Sequence, residues 1–281
     1  MTDVKSAPRV TMVLSDIDGT LLDNNKQLTP GAPAAVQRLH HAGIRFTLAS
    51  ARPPRLTSDL VRELHVCEPI ACFNGALVVG PDETVLHQLP MAPSDAQQVA
   101  NHIFQSGFDL WVYAGTDWYV SNPKGPHVDH QEELMKCKAT LLQTHDLSQL
   151  HVLKMVGVSD DFAAVAEAEI KMADLCCMSI SATRSSPYYL DITDAKANKG
   201  QVALTLSEML HIPTSQIVTI GDMNTDVLMF RQTGVSIAMG NALDNVKAQA
   251  KYVTRSNEED GFAYAIDHFV LGLPEAQAAA D

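Results

Sequence analysis

Basic residues are scarce in this chain. Against 33 Asp and Glu stand 20 Lys and Arg, a formal net charge of −13 over 281 residues. Nucleic-acid binding needs a basic face, so this balance argues against it. It leaves room for a small phosphorylated ligand, because a local cation site overrides the global sign. Cysteine is sparse as well. The five (Cys67, Cys72, Cys137, Cys176 and Cys177) are odd in number and form no C-x-x-C pair. Neither a disulfide framework nor a thiolate metal site follows from them; they read as small buried hydrophobes in a reducing cytoplasm. No apolar run is long enough to span a bilayer. Residues 1–9 lack the apolar stretch of a secretion signal, and 1–8 and 273–281 read as disordered tails. With 46% apolar and 19% charged residues, what remains is an ordinary globular composition.

Short apolar runs alternate with helical patterns in the first third. Residues 10–14 read as a buried strand, and Thr29-Pro30 as a helix start with Gly43 as its stop. Strands at 44–49 and 70–73 flank a helix opened by Pro53-Pro54. Strands separated by helices imply right-handed crossovers and a parallel sheet, whose carboxyl edge is where ligands bind. Beyond about Pro81 the pattern turns antiparallel. It shows hairpins at 76–88 and 109–120, a helix capped by Ser94-Asp95, a strand at 150–158, a helix near 161–172, and strands at 176–181 and 188–192. From Lys199 the crossover pattern resumes, with strands at 217–220 and 235–238 and a last helix near 258–270. The middle segment reads as an inserted second domain.

Chemistry-bearing residues fall at the ends of the predicted parallel strands. Asp16 and Asp18 open into a glycine turn, Ser50 and Arg52 follow the second strand, Asn74 the third, and Asp222 and Asp226 the strand at 217–220. Lys199 starts a helix, where a cation opposes the helix dipole. Paired carboxylates cannot be buried as ions without partners. They suit a hard cation such as Mg²⁺ beside a phosphate. Asp-x-Asp alone is a weak signal, shared with metal-dependent glycosyltransferases and acidic loops. Each partner also has a plain alternative: Ser50 as a helix cap, Lys199 as a solvated helix start, Asp222 as a turn residue, Asn74 and Asn241 as turn residues, Arg52 as a structural ion-pair member.

Taken together, the segments resemble the haloacid dehalogenase superfamily. Asp16-Ile17-Asp18-Gly19-Thr20-Leu21-Leu22 is similar to its first motif and Leu48-Ala49-Ser50-Ala51-Arg52 to its second. Asn198-Lys199-Gly200 is similar to the third, and Gly221-Asp222-Met223-Asn224-Thr225-Asp226 to the fourth. Phe73-Asn74-Gly75-Ala76, Ala238-Met239-Gly240-Asn241-Ala242 and Glu258-Glu259-Asp260-Gly261-Phe262 resemble the Cof-type, class IIB subfamily of phosphatases. The resemblance covers residues 9–271. It implies an α/β fold: a Rossmann-like, doubly wound parallel sheet core (9–85 and 191–272) carrying an inserted α+β cap (86–190).

The resemblance also implies roles. Asp16 would be the nucleophile, forming an aspartyl-phosphate. Mg²⁺ would be held by Asp16, the backbone carbonyl of Asp18, and Asp222. Asp18 would serve as general acid and base, which requires a raised pKa or a favourable geometry. Ser50 and Lys199 would contact the phosphoryl group, with Arg52 and Asn74 as further binding candidates, and Asp226 would orient Lys199 or a metal-bound water. Two departures stand out. Thr225 occupies the usual Asn position, which predicts weaker metal or phosphate affinity. Ser50-Ala51-Arg52 replaces Thr-Gly-Arg, keeping the hydroxyl but removing a glycine. The cap would set substrate choice, with Trp111, Tyr113, Trp118, Tyr119, Lys124, His127, Lys154, Met155 and Arg184 as candidates. The expected activity is a Mg²⁺-dependent cytoplasmic phosphatase for small phosphomonoesters, either sugar phosphates or phosphorylated cofactors. Competing readings are a phosphohexomutase, a receiver-type signalling module, and a catalytically weak phospho-ligand-binding protein.

Overall fold

The computed structural model describes residues 10–144, 146–175 and 179–274. Its central sheet is parallel and five-stranded, in the order Tyr252–Val253, Val235–Ala238, Ile217–Gly221, Met12–Ser15, Arg45–Leu48. A single parallel bridge between Ala49 and Ala71 extends it towards Ile70–Cys72. The chain starts in the middle, winds outwards on one side, and returns on the other through Ile217–Gly221. The turning point lies between Met12–Ser15 and Ile217–Gly221, where Ser15 sits opposite Ile220. Ligands of doubly wound sheets bind at this crevice.

Both faces of this sheet are covered, which is why its strands are apolar throughout. Val13 and Phe46 point into a cluster with Leu39, Phe262 and Ile266, from the Ala32–His41 helix and the C-terminal turns. Met12 and Leu14 alternate to the other face, against Val202, Leu206 and Met229 of helices Lys199–Leu210 and Asn224–Phe230. The first helix begins at Ala32, not at Pro30, with Pro33 inside its first turn. The Gly31 amide donates to Asp260 Oδ1 at 2.9 Å and the Ala32 amide to the Thr29 carbonyl, so residues 29–32 are held as a turn.

A second sheet carries six strands in the order Ile180–Ser186, Tyr189–Asp194, Val152–Val158, Asp109–Ala114, Asp117–Val120, Thr140–Leu141. Val112, Met155 and Ile192 pack on one of its faces beneath helices Pro93–Gln105 and Phe162–Leu175. Trp111, Tyr113, Trp118 and Val156 occupy the opposite face, towards the parallel sheet. The Pro93–Gln105 helix is not capped by Ser94-Asp95. Pro93 takes its first turn and forces Ala92 into an extended conformation, so the helix starts at the proline. The Val128–Met135 helix, weakly amphipathic and flanked by left-handed His127 and Lys136, was not legible as a helix.

Paired strands run across both expected domain boundaries. Val85–Gln88 pairs with Leu77–Val79, in a three-stranded sheet that also holds Ile70–Cys72, so a cut at 86 divides that strand. Tyr189–Asp194 pairs with Val152–Val158, and Thr193 still faces Lys154. The inserted sheet therefore runs to Asp194, four residues past the expected boundary, and Asp191 belongs to it. Of the cysteines, Cys72 is buried as expected, Cys137 is half-buried, and Cys67 is exposed beside the loop that follows its helix. Cys176, Cys177 and most of both expected tails lie outside the described residues.

Candidate active site

Asp16 and Asp222 each follow one of the two strands that flank the turning point, which brings their carboxylates together from 206 residues apart. Gly19 makes this approach possible. Its φ is +76°, and a Cβ there would lie 2.5 Å from Asp222 Oδ2. Thr20 Oγ1 donates to Asp222 Oδ1 at 3.1 Å. Lys199, buried at the start of its helix, donates to Asp16 Oδ1 at 2.6 Å and to Asp226 Oδ1 at 2.5 Å. Asn198 caps that helix through its side chain, accepting from the Gln201 amide at 3.0 Å. Asp226 Oδ2 accepts from the Asp222 and Met223 amides at 2.9 and 2.8 Å. Asp226 is thus fully engaged as a brace, and its two oxygens are occupied by lysine and backbone.

Among the described residues, Asp16, Asp222 and Asp226 bring carboxylate oxygens within 4.8 Å of one another, all buried. Three carboxylates face one ammonium. The consequences appear in their acidities. Burial pushes the Asp16 carboxyl up, and the neighbouring Asp226 and Asp222 add to this against the pull of Lys199. Burial also raises Asp222, reinforced by Asp226 and opposed by Thr20 and Lys199. Burial alone would depress Lys199, but Asp16 and Asp226 reverse this and hold its ammonium above the usual range. The excess negative charge fits a hard divalent cation between Asp16 and Asp222, the two carboxylates not locked to backbone amides.

Asp18 stands at the mouth and behaves oppositely. Arg52 grips it with two bonds, Nε to Oδ2 and Nη2 to Oδ1, both 2.8 Å, and Lys26 Nζ donates to Oδ1 at 2.8 Å. Burial would raise this carboxyl, but the Arg52 and Lys26 contacts outweigh it and hold it at about 2. Of the two conditions for an acid role, a raised pKa or a favourable geometry, the first is therefore not met in this arrangement. Lys26 escaped sequence reading altogether. It lies in an exposed turn, where a left-handed backbone (φ 62°) sends its side chain back over Asp18.

Ser50 is buried, and its Oγ accepts from the Arg52 amide at 3.2 Å, leaving its hydroxyl hydrogen for a ligand. It caps no helix, since the next helical turn begins at Pro54. Ala51 has no positive φ, so the missing glycine carries no backbone cost. Asn74 is left-handed at φ 55°, its amide donating to the Ser50 carbonyl at 2.8 Å. Asn241 ties the first motif's turn together, donating to the Gly19 carbonyl at 2.9 Å. Asn224 pairs with Asn245 at 2.7 Å and so leaves Thr225 alone at the site.

One cavity of about 430 Å³ joins these residues to the second sheet. Its floor holds Asp16, Asp18, Ser50, Asn74, Lys199 and Thr225; its roof holds Trp111, Tyr113, Gln131, Lys154, Tyr189 and Asp191. Of the nine cap candidates, Trp111, Tyr113 and Lys154 line it. Trp118 is buried behind them, with its ring 5.2 Å from Trp111. Tyr119 and Met155 sit on the opposite face with the cap helices. Arg184 is tied to Glu169 at 2.7 Å, and His127 to Asp160 at 2.8 Å with its ring stacked on Tyr188. Lys124 does not line the cavity.

Comparison with known proteins bears on family and fold. Residues 13–266 match the haloacid dehalogenase-like hydrolase family. A Bacillus subtilis protein named 5-amino-6-(5-phospho-D-ribitylamino)uracil phosphatase YwtE is 27% identical, the alignment covering 92% of this chain and 97% of that protein. A putative phosphatase of Haemophilus influenzae is 24% identical over 91% and 96%. Among solved structures, a haloacid dehalogenase-like hydrolase from Bacteroides thetaiotaomicron superposes with a TM-score of 0.82 at 25% identity, covering 93% of this chain and all of that one. A subclass IIB sugar phosphatase shares the fold with a TM-score of 0.79 at 21% identity, over 92% and 99%.

Proposed function

Because this chain belongs to the haloacid dehalogenase-like hydrolases, we propose that it is a divalent-cation-dependent phosphatase acting on small phosphomonoesters through an aspartyl-phosphate on Asp16. The observation that carries the reading is the buried group of three carboxylates and one lysine at the turning point of the sheet. Such a group is costly unless a cation and an anionic substrate complete it.

Asp16 Oδ1 is fixed by Lys199, so Oδ2 is the attacking atom. It forms a bond to phosphorus as the ester P–O bond breaks, and the leaving alkoxide takes a proton. Asp16, Asp222 and the Asp18 carbonyl would hold a Mg²⁺ ion, which would neutralise the charge between carboxylate and phosphate. Lys199 and the Ser50 hydroxyl face the transferring oxygens. Asp226 keeps Lys199 extended towards Asp16. Asp18, ionised in the grip of Arg52 and Lys26, is set as a base for the water that cleaves the aspartyl-phosphate. Acting first as the acid requires both cations to let go, for which an incoming phosphate dianion in the same cavity competes, and requires Asp18 to take up a solvent proton that it then passes to the alkoxide. Arg52, with Asn74, then belongs to substrate binding.

Substrates of the expected class are sugar phosphates or phosphorylated cofactors. The ribityl phosphate named for the Bacillus subtilis relative falls within it. The cavity roof offers one cation, Lys154, already paired to Asp191, which does not favour a mutase that must hold a second phosphate. Among the described residues no helix is long and apolar enough to cross a membrane. The free thiols of Cys67 and Cys72 suit a cytoplasmic setting.

The test is phosphate release from a panel of phosphorylated sugars, nucleotides and cofactors, with Mg²⁺ and with chelator, beside Asp16→Asn. Metal-dependent release that falls more than about 10⁴-fold in the variant is expected. Normal turnover in Asp16→Asn overturns the mechanism.

A further inference from the structure

Lys154 and Asp191 form an ion pair of 2.6 Å in the roof of the cavity, with side chains only 10% and 13% exposed. They sit diagonally on neighbouring strands, Asp191 opposite Val156 and Lys154 opposite Thr193, and both line the cavity that also holds Asp16. A nearly buried pair is weak support for a fold, since desolvating two charges offsets most of their attraction. Apart from hydroxyl residues such as Thr183, Ser185 and Thr193, the same sheet face around the pair is apolar or aromatic, so packing alone does not ask for charge there.

The pair is also incompletely used. Lys154 has three N–H groups. One goes to Asp191, and another makes only a long 3.5 Å contact to the Ala51 carbonyl. Asp191 receives Lys154 on Oδ2, and among the described residues nothing is bonded to its Oδ1. A donor and an acceptor thus stand side by side with unused valence, facing the space into which a leaving group must project. An alcohol both donates and accepts, so one hydroxyl satisfies Asp191 while its neighbour satisfies Lys154.

The surroundings match. Thr183 lies opposite Asp191 on the next strand and lines the cavity with Ser185, adding two hydroxyls. Trp111, buried against Trp118, and Tyr189, rings 5.1 Å apart, add apolar lining to the same space. The pair is neutral overall, which suits an uncharged leaving group better than a second phosphate.

We infer that Lys154 and Asp191 are the specificity pair of this site, reading adjacent hydroxyls of the leaving group. The inference rests on the phosphatase reading above. A leaving group without hydroxyls would strand both charged groups, and sites built to bond a hydroxyl discriminate strongly against analogues lacking it.

The experiment compares the Mg²⁺-loaded protein with Asp191→Asn and Lys154→Met on two esters, a hexitol or pentitol phosphate and p-nitrophenyl phosphate, with Tm recorded for each. Both variants should lose about 10- to 100-fold in kcat/KM on the polyol ester, and stay within about 3-fold of wild type on the aryl ester. The aryl ester and Tm report folding, and the isosteric Asp191→Asn covers the case in which Lys154→Met fails to fold. Equal losses on both esters in a folded variant, or no loss on either, overturn the inference and leave the phosphatase standing. Wild type active on the aryl ester alone does the same. Wild type inactive on every ester overturns the phosphatase reading, and this inference with it.

Discussion

The floor and the roof of the cavity both hold buried charge, but they hold it differently. In the floor, Lys199, Asp226 and the Asp222 and Met223 amides interlock, and no oxygen of Asp226 is left over. In the roof, Lys154 and Asp191 hold one another and little else. The floor carries surplus negative charge and is braced against it; the roof is neutral and open to a partner. Chemistry that must be the same for every substrate suits the braced arrangement. Discrimination among leaving groups suits the open one, because unused donors and acceptors are what a substrate can satisfy.

Removing the lysine from each level sharpens the contrast most. Lys199→Met leaves three carboxylates without their ammonium, in a region where breaking a buried pair costs about 3–5 kcal/mol. Turnover should fall more than about 10³-fold on every ester, and denaturant unfolding in chelator should show the stability loss. Lys154→Met leaves one carboxylate that borders the cavity and hydrates there, so its stability loss should be smaller. Equal losses in the two variants would erase the distinction between braced and open charge.

The second test uses pH. Asp16 and Asp222 have carboxyls raised above the ordinary range by burial and by the charge of neighbouring Asp226. A raised carboxyl means that the folded state binds more protons than the unfolded chain between the two pKa values. Stability of the metal-free protein should therefore fall as pH rises from about 4 through the raised values. Mg²⁺ should remove most of that decline by accepting the ionised pair. Tm recorded from pH 4 to 9 in chelator and in Mg²⁺ reads this directly. Superimposable curves would mean that the floor does not concentrate negative charge.

Legibility in the sequence follows the same division. The floor was readable because each member directly follows a strand or starts a helix. Asp16, Ser50 and Asp222 follow strands of the parallel sheet, Asn74 follows a strand bridged to it, and the fold must bring such ends together. The roof was half readable. Trp111 and Tyr113 share parity along one strand, and the same alternation places Tyr119 and Met155 on the opposite face, where the structure has them. Asp191 was hidden because the chain was taken to leave the cap at residue 190. The strand itself was read to 192, but only its pairing with Val152–Val158 assigns Asp191 to the inserted sheet and carries the strand on to Asp194. Lys26 was hidden for another reason: its contact with Asp18 depends on a turn conformation rather than on any period.

The smallest expected effect concerns Thr225, the departure within the floor itself. Thr225 lines the cavity, and neighbouring Asn224 is turned away to Asn245, so no amide side chain reaches the site from this helix. The carboxylates that would hold the cation are fixed without it, Asp222 by Thr20 and Asp16 by Lys199. Thr225→Asn would add a donor and an acceptor next to a framework that is already complete. Its effect on apparent Mg²⁺ affinity should be a tightening of no more than about 10-fold, or none, corresponding to one hydrogen bond. Titration of Mg²⁺-dependent turnover in both proteins measures it. A clear weakening would show that the shorter side chain leaves room the cation or its water needs, and that even the braced level of this site is fitted to a particular substrate.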